Sequence, residues 1–270
     1  MSTGLIISHG AATHRGLKRA DNQDTYGKFP ESGLDLTTAK GQLFIVADGM
    51  GGHAGGKEAS ETAVRLVQQI YFSSEEKDIS IALRRAFEFA NDQICQNASR
   101  RAEVQGMGTT CTAMVLQADR GYITRIGDSR AYRITRHKIE QLTQDHSKVT
   151  EMLRLGILNE EEAKRHPEKS HLYRALGIGP EVKPDTLPAF PLAPDERFLL
   201  CTDGIAKIET AEIKRIVLSR PPQNACDRLI EVANKHGGSD NSTVQVIWVK
   251  DAASAGARAM AAIRRLWSSE

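Results

Sequence analysis

One stretch constrains the chain more than any other: Asp48-Gly49-Met50-Gly51-Gly52-His53-Ala54-Gly55-Gly56-Lys57. Ahead of it, Leu43-Phe44-Ile45-Val46-Ala47 is a short apolar run that predicts a buried strand, with Asp48 at its end. Behind it, Ala59, Ala63, Leu66, Val67 and Ile70 recur at helical spacing, which predicts a helix over Gly56–Phe72. Glycines packed this densely between a strand and a helix require a sharp turn and a close approach to another part of the chain.

Two chemistries use such a turn, and they make opposite demands on charge. A phosphate-cradling loop would run from Gly51 to Gly56-Lys57, but Glu58 stands where a hydroxyl should reach Mg²⁺, and Asp48 sets a negative charge at its mouth. In the other chemistry the carboxylate at the strand end, with a carbonyl freed by glycine, forms part of an oxygen ligand set for a hard divalent cation. The choice depends on whether the chain supplies more aspartates in similar places.

Bulk properties narrow the field. A chain of 270 residues can bury a sizeable core, and no Pro- or Ser-rich linker divides it. Lys+Arg at 36 against Asp+Glu at 34 is near balance, so nothing points to nucleic acid or a membrane surface. Cys95, Cys111, Cys201 and Cys226 form no C-x-x-C pair and read as reduced thiols of a cytoplasmic protein. The first residues lack a basic and apolar leader, and no apolar stretch has the length of a bilayer span, so a soluble intracellular protein is expected.

Along the chain, a strand is predicted near Leu5–Ser8 and another at Thr25–Phe29, flanking a polar loop from Gly16 to Asp24. A second helix over about Asp78–Glu103 carries the stripe Ile79, Leu83, Ala86, Phe87, Ala90 and Ile94, and should pair with the first on a sheet. Cys95 and Arg101 have the spacing of a cysteine-phosphatase loop, but Cys95 continues a helical stripe and is expected to be structural. Gly108–Leu116, Gly121–Gly127, Arg130–Thr135 and Lys138–Leu142 predict a run of antiparallel hairpins. From Asp145 to about Arg174 two short charged helices predict a mobile flap over one edge of the core. A strand at Arg197–Thr202, helices at Thr210–Ser219 and Pro222–Lys235, and a strand at Ser242–Val249 follow. A basic, alanine-rich tail closes the chain over 251–270.

The same event recurs: a strand runs to Asp beside Gly or Asn, at Asp48-Gly49, Asp203-Gly204 and Asp240-Asn241, with Asp128 alike beside Gly127. One such pair is a turn. Several at one edge would repel and raise one another's pKa unless a cation lay between them, and oxygen-only ligands select Mg²⁺ or Mn²⁺. Such a site suits a phosphate ester attacked by hydroxide held between two metals, with Arg19 the candidate for forking onto the phosphoryl oxygens.

The ordered motifs carry a resemblance. Arg19-x-x-Asn22-Gln23-Asp24, Asp48-Gly49-Met50-Gly51-Gly52, Gly108-Thr109-Thr110, Gly127-Asp128-Ser129-Arg130, Leu142-Thr143-x-Asp145-His146-Ser147, Arg174-Ala175-Leu176-Gly177, Asp203-Gly204 and Asp240-Asn241-x-Thr243 resemble those of bacterial metal-dependent serine/threonine protein phosphatases, the PPM or type 2C family. The resemblance runs from about Arg19 to Val249. It implies an α+β fold, a four-layer α-β-β-α sandwich of two antiparallel sheets flanked by helices, with the flap at about 145–174 as a substrate-facing insertion. It also implies one phosphatase domain over 1–250, a monomer. By the same resemblance Asp48 bridges two central Mn²⁺ or Mg²⁺ ions, the Gly49 carbonyl binds the second, Asp203 and Asp240 complete the first, and Asp128 holds a third. Asp24 orients water, Arg19 holds phosphate, and His53 is the candidate general acid, with a hydrogen-bonded loop role as its alternative. The chain departs from the family in having Ile205-Ala206-Lys207 after Asp203-Gly204, where leucine and then an acid are usual. Lys207 is expected to weaken the third ion or to alter substrate choice.

The function implied is hydrolysis of phosphoserine and phosphothreonine in protein substrates, opposing a bacterial serine/threonine kinase. Two rivals make different predictions. A nucleotide-binding ATPase built on Gly51–Lys57 requires a parallel sheet. A non-catalytic phosphoprotein-binding regulatory module of the same fold would be expected to have lost a metal aspartate, and none is missing.

Overall fold

The computed structural model describes residues 4–32, 36–51, 55–168 and 171–253. The chain enters through β1 (Leu5–His14), β2 (Asp24–Phe29) and β3 (Gln42–Met50). It then forms α1 (Gly55–Ser73) and α2 (Ile79–Arg100), the latter opened by Asp78, whose carboxylate accepts the N–H groups of Ser80 and Ile81. α2 stops short of the expected Glu103. Arg101 is extended at φ −134, and its guanidinium spans Glu103 and Glu58 on α1.

Next come β4 (Gly108–Thr109), β5 (Cys111–Gln117), β6 (Arg120–Ile126), β7 (Arg130–Ile134) and β8 (Ile139–Gln141). The segment expected to form a flap carries α3 (Lys148–Arg154) and α4 (Glu160–Arg165). Two short strands that no periodicity announced, β9 (Asp185–Thr186) and β10 (Phe190–Pro191), precede β11 (Arg197–Cys201). Helices α5 (Thr210–Ser219) and α6 (Pro222–Lys235) lead to β12 (Ser242–Asp251).

The strands form two sheets, one ordered β1-β12-β11-β7-β8 and the other β10-β6-β5-β3-β2, with β4 beside β3 and β9 beside β6. Every pairing among the described strands is antiparallel. That overturns the nucleotide-binding reading of Gly51–Lys57, which needs parallel strands joined by crossover helices.

Period-two alternation sets the layers. In β3, Leu43, Ile45 and Ala47 pack under α1 and α2, while Phe44 and Val46 face the opposite sheet. In β12, Val244 and Val246 pack against α5 and α6, and Ile247 and Val249 turn inward to Phe198 and Leu200 of β11. Each fully buried side chain of this size contributes roughly 1.5–3 kcal/mol, so strands covered on both faces anchor all four layers. One polar side chain bridges the middle layer: Gln245 donates from Nε2 to the Ile45 carbonyl at 2.7 Å, and its Oε1 meets His9 Nε2 at 2.9 Å. Burial lowers the His9 pKa, so the neutral ring serves as the donor.

The hairpins expected between Thr109 and Leu142 are β5–β6 and β7–β8, but they lie in different sheets. The chain changes sheet at Gly127, whose φ of +97 turns it sharply and whose missing Cβ would otherwise sit 2.6 Å from the Thr110 Cβ. The next residue is Asp128. No helix among the described residues is long and apolar enough to cross a membrane.

Candidate active site

The aspartates singled out in the sequence meet where the ends of both sheets come together. Asp24, first in β2, lies directly opposite Asp48 in β3. Like charges in that register are unfavourable without compensation. Asp48 falls inside the strand and not at its end, because β4 pairs with Gly49 and Met50 and extends the ladder. From the other sheet, Asp203 opens a 3-10 turn separated from β11 by one residue, and Asp240 stands two residues before β12. Asp128 sits on the crossing between the sheets.

Their charges act on one another. The Asp48 carboxyl is held well above the usual range, first by burial and then by Asp24, Asp203, Asp128 and Asp240. Asp24 is raised to about 7 by burial, against hydrogen bonds from Thr243 and Thr202 that pull the other way. Asp128 is raised to about 7 by burial, then by Asp203 and Asp145. Asp203 is raised to about 6 by burial and Asp240, and it shares a hydrogen bond with the Asp48 side chain. Carboxylates that lift one another in this way carry a cost that a cation among them would relieve.

Arg19 joins the cluster. Its guanidinium donates to Asp240 Oδ2 at 2.8 Å, and the fields of Asp240, Asp48 and Asp203 raise its pKa. Asp240 Oδ1 accepts the Asn241 N–H at 2.9 Å, so both its oxygens are engaged. By contrast, Asp24 Oδ1 and Asp203 Oδ1 are buried without a hydrogen-bond partner. Among the described residues no three acidic, histidine or cysteine side chains already close on one point at ligand spacing. The cluster nevertheless fits a hard divalent ion: its donors are all oxygen, they lie at one edge, and one buried oxygen each on Asp203 and on neighbouring Asp24 lacks a partner.

The surroundings explain motifs that the sequence left without a role. Thr110 Oγ1 accepts the Asp48 N–H at 2.9 Å and meets Ser129 Oγ at 2.7 Å, while Thr109 Oγ1 donates to the Asp48 carbonyl at 2.9 Å. Thr202 Oγ1 donates to Asp24 Oδ2 at 2.8 Å and accepts the Thr243 N–H at 2.9 Å, joining the two sheets beside the cluster. Asn241 accepts the Gln23 N–H at 2.8 Å and donates to the carbonyls of Arg15 and Asp21, which holds the loop bearing Arg19. Read as a turn residue, Asn241 gave no sign of this beyond its place next to Asp240.

At Gly49 close approach is the requirement: a Cβ there would lie 1.9 Å from the Gly56 carbonyl oxygen, so β3 meets the start of α1 only through glycine. His53, the expected general acid, lies outside the described residues, as does the tail over 254–270. Cys95 is on α2 and donates to the Gly179 carbonyl at 3.2 Å, a structural placement as expected. Lys207 is exposed, donates to Ser239 Oγ at 3.0 Å, and shares a cavity with Asp203 and Arg130.

Comparison with known proteins identifies the family. A family profile described as protein phosphatase 2C matches residues 18–242. The serine/threonine phosphatase stp of Listeria monocytogenes is 36% identical over 241 residues, 87% of this chain and 93% of that protein. The serine/threonine phosphatase Stp1 of Staphylococcus aureus superposes with a TM-score of 0.82 at 30% identity, covering 92% of this chain and 97% of that one. The catalytic domain of the serine threonine protein phosphatase PstP, solved in complex with 2 manganese ions, superposes with a TM-score of 0.79 at 31% identity, covering 92% of this chain and 100% of that one. The chain belongs to the protein phosphatase 2C family and is a metal-dependent protein phosphatase acting on phosphorylated proteins.

Proposed function

We propose that Asp48, Asp203 and Asp240, with the Gly49 carbonyl, hold two divalent ions, Mn²⁺ or Mg²⁺, and that Asp128 holds a third and weaker one. The observation that carries this is the mutual elevation of the carboxyl pKa values across two sheets, with buried oxygens of Asp24 and Asp203 left unpartnered. When bound, the ions supply Lewis acidity and activate water at neutral pH.

The chain's own residues do the rest. Arg19 exchanges Asp240 for two phosphoryl oxygens, since a guanidinium fork matches phosphate better than it matches one carboxylate oxygen. Asp24, fixed by Thr202, accepts a hydrogen bond from the attacking water and aims it. His53 gives a proton to the seryl or threonyl oxygen as the P–O bond breaks. Lys207, at the cavity rim beside Asp203, bears on substrate choice. One catalytic domain over 1–250, with its flap at 145–174, opposes a bacterial serine/threonine kinase. The four free thiols fit the reducing cytoplasm.

The test is phosphate release from a phosphothreonine peptide by wild type, Asp240→Ala and Arg19→Ala, each with Mn²⁺, Mg²⁺ or EDTA. Loss of turnover in Asp240→Ala and a raised KM in Arg19→Ala are expected. Full activity of Asp240→Ala with Mn²⁺ would remove it from the ligand set.

A further inference from the structure

The motif Leu142-Thr143-x-Asp145-His146-Ser147 supplies no residue to the proposed ligand set, yet His146 is only 2% exposed. Its backbone and its ring both grip the residue that precedes Asp128. The His146 N–H donates to the Gly127 carbonyl at 2.9 Å, and the ring Nδ1 accepts the Gly127 N–H at 3.1 Å. A backbone N–H only donates, so Nδ1 carries a lone pair and the ring proton resides on Nε2. Nε2 then donates to Asp185 Oδ2 at 3.0 Å.

Asp185 is itself held in place. It accepts Arg125 Nη2 at 2.5 Å and Arg174 Nη1 at 3.3 Å, and Arg125 Nη1 adds a bond to the Gly127 carbonyl at 3.2 Å. On its other side Gly127 rests against Thr110, whose hydroxyl holds the Asp48 N–H. The peptide leading into Asp128 is thus pinned between the base of the flap and the strand that carries Asp48. The base of the flap closes through the bridge Ser147–Leu172 and the Tyr173 N–H on the His146 carbonyl, so the His146 end of the clamp lies in the inserted segment.

We propose that His146 is a positioning residue: oriented by Asp185, it fixes the Gly127 peptide and thereby aims the Asp128 carboxylate. The assignment rests on the reading of Asp128 as ligand to the third, weaker ion. Partners one shell out from a ligand commonly govern metal affinity by about 10–100-fold.

Calorimetric titration of Mn²⁺ into the metal-free full chain tests it without recourse to turnover. Wild type should show a weak binding phase after the tight one, and Asp128→Ala should lose the weak phase alone. His146→Phe keeps the ring's volume but offers Gly127 no acceptor, and should weaken that phase by about 10-fold or more. His146→Asn loses volume but places an amide oxygen near the Nδ1 position, and should retain most of the weak phase. Circular dichroism confirms that each variant is folded. The reverse ranking, with Phe retained and Asn lost, assigns His146 to space filling and overturns the proposal. An intact weak phase in Asp128→Ala overturns the reading of Asp128 on which it rests.

Discussion

Asp203→Asn is expected to stabilise the metal-free protein while removing its response to Mn²⁺. Burial and the Asp240 charge move the Asp203 carboxyl from 3.8 to about 6. A raised acid pKa means that the folded state holds the proton more tightly than the unfolded state does. Stability from this group is therefore fully present below about pH 4 and is lost as pH rises through about 6. At about 1.4 kcal/mol for each tenfold difference in proton affinity, the cost at neutral pH approaches about 3 kcal/mol. Asp203 is half-buried, and the water it still meets lowers that to about 2 kcal/mol. Asparagine has the same shape without the charge. With about 2–4 °C per kcal/mol for a domain of this size, Tm in EDTA at neutral pH should rise by about 4–8 °C, and the two proteins should converge near about pH 4. Mn²⁺ at about 100 times its Kd should add about 2.7 kcal/mol to wild type and far less to the variant, reversing the order. Scanning calorimetry at both pH values, with EDTA and with Mn²⁺, reads all four states. A variant less stable than wild type in EDTA at neutral pH, or one equally stabilised by Mn²⁺, would refute the account of repelling carboxylates.

Other perturbations follow from the same geometry. Thr110→Val leaves the Asp48 N–H and Ser129 Oγ without their shared partner, and should cost about 1–3 kcal/mol in urea unfolding together with a fall in kcat, whereas Thr110→Ser should restore both. Gly49→Ala drives a methyl into the Gly56 carbonyl and should destabilise by about 3 kcal/mol or more; a fully stable variant would show that α1 can withdraw freely. Asn241→Ala frees the loop bearing Arg19 and should raise KM for phosphopeptide more than it lowers Tm, measured by steady-state kinetics beside thermal scans. The metal-free wild type should lose Tm steadily between about pH 4 and about pH 7 as Asp24, Asp128 and Asp203 ionise in place; a flat profile in EDTA would contradict the raised values.

Much of the frame was legible in the chain because it rests on local signals. The apolar run ending near Asp48, the stripe from Ile79 to Ile94 and the hairpin β7–β8 all declare themselves by period or turn. The repeated Asp-Gly and Asp-Asn pairs marked the cluster before any fold was known. What stayed hidden was long-range. Strands covered on both faces show no preference for either sheet, so the change of sheet at Gly127 could not be read from β6 or β7 alone. Two-residue strands such as β9 carry no period. Thr202, Asn241 and His146 act through partners 19 to 226 residues away, and nothing in their neighbours along the chain announces that reach.

Gln245 ties β12 to the Ile45 carbonyl in the middle of the sandwich, some distance in from the edge where the carboxylates gather. That bond fixes β12 against β3 at one place in the middle layer. Asp24 and Asp48 ride on one sheet and Asp203 and Asp240 on the other, so a slide of one sheet over the other alters every distance across the cluster at once. An ion seated among them would stitch the free margins of the sandwich together, and its arrival should be felt as slowed hydrogen exchange along β2 and β12, far beyond the atoms it touches.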